Sequence, residues 1–234
     1  MDDDLNQFLA HRAPTPAQPL LGLTVLAVED SRFASEALRL LCLRSGARIR
    51  RADCLASAQR HLRTYRPAVA IVDLGLPDGS GLDLIRELAG LTPRVPVILA
   101  TSGMSDLAGE ALAAGADGFL EKPVESLAVF QRAILAALPV SARPWGPVPV
   151  AGDQVVPDPI ALRDDLNHAA ALLDDTPDDR ALGYVAQFLA GVARVAHDQP
   201  LAEAAAGLGD GDGMARLSRL SGLVRDRLAA GVSF

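Results

Sequence analysis

Four short, largely apolar runs in this chain lead into a charged or hydroxyl side chain. Leu23-Thr24-Val25-Leu26-Ala27-Val28 runs into Glu29-Asp30, Val69-Ala70-Ile71-Val72 into Asp73, Val95 to Ala100 into Thr101-Ser102, and Gly118-Phe119-Leu120 leads to Lys122-Pro123. Apolar runs of this length without alternation are strands buried on both faces, which is the condition of a parallel sheet covered by helices. Helical spacing fills the intervals: Phe33, Ala37, Leu40 and Leu41; Leu55, Ala58 and Leu62; Leu84, Ile85 and Leu88; Ala108, Ala111 and Leu112; Leu127, Phe130, Ile134 and Leu138. Ala47 to Arg51 reads as an edge strand. Strands alternating with helices require right-handed parallel crossovers. The pattern predicts an α/β, doubly wound five-stranded parallel sheet.

The rest of the chain divides around that unit. Residues 1–19 are polar and end in a proline-broken stretch, which predicts a flexible N-terminal extension. The α/β unit occupies 20–138. Residues 139–157 hold Pro139, Pro144, Pro147, Pro149 and Pro157 and read as a stiff extended linker. Residues 158–234 carry no convincing strand and predict a small all-α bundle. Half of the 234 residues are hydrophobic but only 4% are aromatic, and Ala, Leu and Val dominate, which suits helices and buried parallel strands. The net charge of −7 argues against a polyanion across the whole surface. No apolar run reaches the ~18 residues of a membrane span, and the acidic Met1-Asp2-Asp3-Asp4 is unlike a signal peptide. Cys42 and Cys54 fall in no metal or redox spacing and suit small buried positions in a reducing compartment. A cytoplasmic, soluble protein with no membrane contact is expected.

In an open doubly wound sheet, ligands sit beyond the carboxyl ends of the strands. There Glu29, Asp30 and Asp73 would crowd together with Thr101 and Lys122. Three carboxylates in one place repel unless a cation lies among them, and a hard divalent ion such as Mg²⁺ satisfies oxygen donors. The segments Val28-Glu29-Asp30, Asp73-Leu74-Gly75-Leu76-Pro77-Asp78-Gly79-Ser80-Gly81, Pro96 to Thr101 and Gly115 to Pro123 together resemble the receiver domain of bacterial two-component response regulators. The resemblance runs from about Leu21 to Leu138, half of the chain.

That resemblance implies a CheY-like, flavodoxin-like receiver in a phosphorelay. Asp73 would be the phosphoacceptor, taking its phosphoryl group from a sensor histidine kinase or a phosphotransfer protein. Glu29, Asp30, Asp73 and the backbone carbonyl of Gly75 would hold Mg²⁺. Lys122 would pair with the phosphoryl oxygens and Thr101 would donate a hydrogen bond to them. The switch would move Thr101 and rotate Phe119 inward, although Phe119 equally suits plain core packing; Pro123 would follow a cis peptide. The face around the fourth and fifth helices would then change. Small residues at Gly75 and Gly103 would leave water access, predicting no unusually long-lived phosphorylation. The chain would be a phosphoacceptor with self-catalysed transfer and autodephosphorylation, not an enzyme, since the second half is too short for a cyclase, phosphodiesterase or methylesterase.

The C-terminal half is less specific. Asp158-Pro159 and Thr176-Pro177-Asp178-Asp179 are helix starts. Leu162, Leu166, Ala169 and Leu173 share one face of the first helix. The second is apolar almost all round, with stripes at Leu182/Val185/Ala186/Leu189/Ala193 and Tyr184/Phe188/Val192/Val195. Its narrow polar strip is Arg180, Gln187 and Arg194. Such a helix sits at the centre of a bundle or in an interface, and homodimerisation would cover the surplus. A short helix follows Pro200 and a last one runs from about Gly213 to Ala230, joined by a Gly/Asp connector. Residues 150–234 hold seven Arg, no Lys and 13 Asp plus Glu, which argues against nucleic acid as a partner, despite Arg216, Arg219, Arg225 and Arg227 on the last helix. His168 on a polar face could be a second phosphorylation site; His197 would interact with a helix C-terminus. The expected function is a response regulator that signals through protein interaction or dimerisation of the helical module with an unknown output partner. The alternatives are a DNA-binding transcription regulator and a phosphorelay intermediate using His168.

Overall fold

The structure, a computed structural model, describes residues 13–140, 143, 153–174, 179–209 and 213–230. Five parallel strands form one sheet: β1 Thr24–Val28, β2 Arg48–Ala52, β3 Val69–Asp73, β4 Val97–Ser102 and β5 Gly118–Glu121. Their order is β2-β1-β3-β4-β5. Five helices cover the sheet: α1 Arg32–Ser45, α2 Leu55–Thr64, α3 Gly81–Gly90, α4 Ala108–Ala114 and α5 Leu127–Ala137. β3 and β4 are buried from end to end, as their unbroken apolar runs require. β2 lies at the edge, and its arginines face solvent.

The helices form two layers. Ala37, Leu38 and Leu41 of α1 pack with Phe130 and Ile134 of α5 on one face of the sheet. Ala58 of α2, Leu84, Ile85 and Leu88 of α3, and Ala111 and Ala114 of α4 cover the other. Leu112, expected in that layer, is 52% exposed; only Ala111 and Ala114, one turn apart, fit beneath the short α4. Ser31 and Ser126 cap α1 and α5 by accepting from Ala34 N and Val129 N, and Gly46 ends α1 in the left-handed conformation at φ 81°. Cys42 is buried, its thiol pushed up to about 12 by that burial, and Cys54 is half-buried. Among the described residues, no helix is long and apolar enough to cross a membrane.

The helical half comprises α6 Pro159–Asp174, α7 Asp179–Val195, α8 Gln199–Ala206 and α9 Gly213–Ala230. Leu162, Leu166, Val185, Leu189, Leu220 and Val224 make its core. Phe33 and Ala34 of α1 belong to the same cluster, so α1 carries the sheet on one side and the bundle on the other. Val185, Leu189, Val192 and Ala193 of α7 are buried against the rest of the chain, while Leu182 and Ala186 are half-buried. The start signal at 176–178, the connector at 210–212, residues 1–12 and most of the proline-rich 139–157 lie outside the described residues. The described end of that stretch is tied down: Gln154 bridges Ser126, Val155 N donates to Glu125 O at 3.0 Å, and Val155 is buried.

One glycine fixes the turn that carries Asp73. A Cβ at Gly81 would overlap the Asp73 carbonyl oxygen and come within 2.9 Å of Leu74 Cα. Gly81→Ala is expected to destabilise the chain by about 1–3 kcal/mol, the usual cost of forcing atoms into filled space. Urea unfolding measures this, and an unchanged midpoint would show that the turn yields freely.

Candidate functional site

The strand order reverses between β1 and β3, and the groups expected to carry chemistry meet outside the carboxyl ends of these strands and their neighbours. Glu29 and Asp30 follow β1, and Asp73 ends β3. Asp73 stands in register with Thr101 of β4. Lys122 follows β5, where its backbone N–H donates to Ser102 O at 2.9 Å. One oxygen from each of Glu29, Asp30 and Asp73 lies within 4.8 Å of the others. Lys122 Nζ is 2.7 Å from Glu29 Oε2 and 3.0 Å from Asp73 Oδ2.

Burial decides the electrostatics. Glu29, Asp73 and Lys122 are each less than a tenth exposed. Desolvation and the charges of Asp73 and Asp30 push the Glu29 carboxyl well above its usual range, although Lys122 opposes them. Asp30 is pushed up to about 6, chiefly by burial and then by Asp73. Burial works against the Lys122 ammonium, but Asp73, Glu29 and Asp30 outweigh it and hold its pKa above that of an ordinary lysine. Three carboxylates against one ammonium leave an excess of negative charge on oxygen donors. That donor set fits a hard divalent cation. Among the described residues Thr101 Oγ1 is buried without a hydrogen-bond partner, so its hydroxyl can serve a group arriving beside Asp73. Phe119 is half-buried against the α3/α4 side of the sheet. The Lys122–Pro123 peptide is cis, as the resemblance implied.

Residues of the helical half reach this site, and sequence reasoning did not find them. Tyr184 donates its phenol to Asp30 Oδ2 at 2.7 Å. Gln187 lies against Gly75 and Arg194 against Gly103, so tightly that a Cβ on either glycine would overlap them; Arg194 also donates to the Gly103 carbonyl. Gln187 and Arg194 of α7 thus stand over these glycines, which still line a cavity of about 250 Å³ beside Asp73. Gln187 and Arg194, read as a polar strip, face the acidic cluster. Buried Asp165 of α6 accepts from Ser31 Oγ at 2.7 Å, Arg32 N at 2.9 Å and Phe33 N at 3.0 Å, capping α1 from outside. Two signals were available: an aspartate between Leu162 and Leu166 on an apolar face, and a phenol within an apolar stripe. Both groups need partners when buried.

The two histidines part company. His168 is exposed, with its ring edge-on to Phe188 at 5.6 Å. His197 stands at the end of α7 as expected, its backbone N–H donating to Arg194 O at 3.1 Å, but its ring turns to Glu125, with Nε2 3.1 Å from Oε1. The backbone explains this: His197 has φ 53° at the end of α7, and that turn aims its ring towards the loop after β5.

The match to known proteins falls on the same region. Residues 25–134 match the family described as the response regulator receiver domain, and this part of the chain is such a domain. The virulence transcriptional regulatory protein PhoP of Salmonella typhimurium is 37% identical over 103 residues, covering 43% of this chain and 46% of PhoP. The probable transcriptional regulatory protein TcrX of Mycobacterium tuberculosis is 34% identical over 139 residues, covering 57% of this chain and 58% of TcrX. The chain thus spans about half the length of the curated relatives it matches. The solved receiver domain of NtrX from Brucella abortus is 26% identical with a TM-score of 0.43, covering 47% of this chain and 97% of that one.

The raised Asp30 carboxyl has a measurable consequence. In the unfolded chain it loses its proton near ~3.9, but in the folded chain only at about 6. The folded state binds more protons between these values, so this group's contribution to stability falls as pH rises through that window and is level above it. Without divalent cations, Asp30→Asn is expected to gain stability relative to the parent from about pH 4 to about pH 6, with a constant difference beyond. Urea unfolding across that range checks it, and a difference independent of pH would place the Asp30 titration elsewhere.

Proposed function

We propose that the chain is a response regulator of a two-component phosphorelay and that Asp73 accepts a phosphoryl group from the phosphohistidine of a sensor kinase or phosphotransfer protein. The observation that carries this reading is the convergence of Asp73, Glu29, Asp30 and Lys122 beside the Thr101 hydroxyl, which is buried and has no hydrogen-bond partner among the described residues. Glu29, Asp30, Asp73 and the Gly75 carbonyl are the groups that would hold Mg²⁺. When bound, such a cation offsets the charge between a carboxylate and an approaching phosphoryl group.

Phosphoryl transfer depends on in-line positioning and charge neutralisation more than on covalent assistance. An Asp73 carboxylate oxygen forms the new bond to phosphorus while the bond to the donor imidazole nitrogen breaks; that nitrogen keeps the electron pair and takes up a proton. Lys122, already 3.0 Å from Asp73 Oδ2, would follow the developing charge onto the phosphoryl oxygens. Thr101 Oγ1 would donate to one of them. The chain then acts on no external substrate and loses its phosphoryl group to water. Output passes through the helical module, by contact with a partner protein or by pairing of two chains.

A DNA-binding transcription regulator is a second reading, supported by the names of PhoP and TcrX. On α9, Arg216 is engaged with the Gly207 carbonyl, Arg225 lies 2.6 Å from Asp174 and Arg227 lies 2.7 Å from Asp198. Those contacts leave Arg219 as the α9 arginine with neither a side-chain hydrogen bond nor an ion pair among the described residues.

Incubation with phosphoramidate and Mg²⁺ tests the main reading. One acid-stable, alkali-labile phosphoryl group is expected in the parent, and none after Asp73→Asn or with EDTA. Uptake that survives Asp73→Asn would sink the acceptor assignment, and an acid-labile group lost on His168→Ala would favour a phosphorelay intermediate. Sedimentation with and without beryllofluoride measures pairing of chains, and duplex DNA binding that weakens with salt would favour the transcription regulator.

A further inference from the structure

Four positions on α7 lie over the acceptor site at spacings of three, four and three residues, which places them along one face of the helix. Tyr184 bonds Asp30 after β1. Gln187 sits on Gly75 after β3, and Arg194 on Gly103 after β4. Between them, a Cβ on Gly191 would lie 4.0 Å from Lys122 Nζ, after β5. One face of one helix thus crosses the ends of all four strands that build the site. A cavity of about 250 Å³ remains beneath it, bounded by Asp73, Lys122 and Glu29 on the sheet side and by Gln187, Gly191 and Arg194 on the helix side.

We propose that α7 is a cover for the acceptor site, so that the C-terminal module decides which phosphodonors reach Asp73. The proposal rests on the reading of Asp73 as phosphoacceptor. A protein donor has to bring its phosphohistidine into line with the Asp73 carboxylate, with reacting atoms about 3–3.5 Å apart. With α7 seated, Gln187 and Arg194 occupy the approach beside Gly75 and Gly103. The seat suits a reversible contact. Its fastenings over the site are polar, and such groups exchange their partners for water at modest net cost. Asp165 adds a second fastening at the start of α1, away from the cavity. Gly75 and Gly103 acquire a reason to be small that is independent of water: a side chain there would displace the ends of Gln187 and Arg194 from their places over the site.

The test compares initial rates of phosphoryl uptake from phosphoramidate in the full chain at saturating Mg²⁺. Tyr184→Phe keeps the ring against Phe188 and removes only the hydroxyl on Asp30. Gln187→Ala clears Gly75, and Asp165→Asn loosens the seat without touching the cavity. Each is expected to take up phosphoryl about tenfold faster than the parent, the factor that corresponds to about 1.4 kcal/mol of seating energy. Amides of α7 should also exchange hydrogen faster. Variants that charge at the parent's rate or slower, while Asp73→Asn still abolishes uptake, overturn the cover and leave the acceptor reading standing. Uptake that is absent from parent and variants alike, or that persists after Asp73→Asn, overturns the acceptor reading and the cover with it.

Discussion

Lys122 is the point on which the site depends. Its ammonium lies within 3.0 Å of both Glu29 and Asp73, with all three groups withdrawn from water. Two carboxylates brought this close in a buried setting repel, and the ammonium between them opposes that repulsion. One ammonium does not balance three carboxylates: the Glu29 carboxyl is held well above its usual range and that of Asp30 is pushed up to about 6, each chiefly by burial. The cluster is therefore held in shape yet remains short of positive charge, a condition suited to an incoming cation.

The same arrangement accounts for the place of the helical half. α1 starts two residues after Asp30 and is shared by two apolar clusters, with Ala37, Leu38 and Leu41 towards the sheet and Phe33 and Ala34 towards the bundle. Asp165 caps α1 from the bundle side and ties that helix to the module at the edge of the acidic cluster. Sheet, site and bundle thus meet at one helix N-terminus.

Much of the first half was legible because its physics is local. Unbroken apolar runs mark strands buried on both faces, and the polar residue that stops each run marks the edge where ligands gather. The second half was legible as helices, since α6 and α9 begin at Pro159 and Gly213 as their caps and spacing indicated. Its partners were not legible. Tyr184 fell on an apolar stripe and Gln187 and Arg194 on a polar strip, and periodicity assigns a face to a residue without naming what lies opposite it. His197 does close the end of α7, but its ring reaches Glu125 instead of the helix C-terminus for the same reason.

The amino-acid sequence by itself determined the doubly wound sheet, the gathering of Glu29, Asp30, Asp73, Thr101 and Lys122 at one edge, and the helical character of residues 159–230. These follow from hydrophobic period and chain direction, which act over a few residues at a time. Only the tertiary structure decided that α7 lies across that edge. The contacts responsible join residues far apart in the chain, such as Tyr184 with Asp30 and Ser31 with Asp165. No local propensity encodes such a pairing. It comes from the need of an almost wholly apolar helix for cover on every side, and of a buried phenol and a buried aspartate for partners within reach.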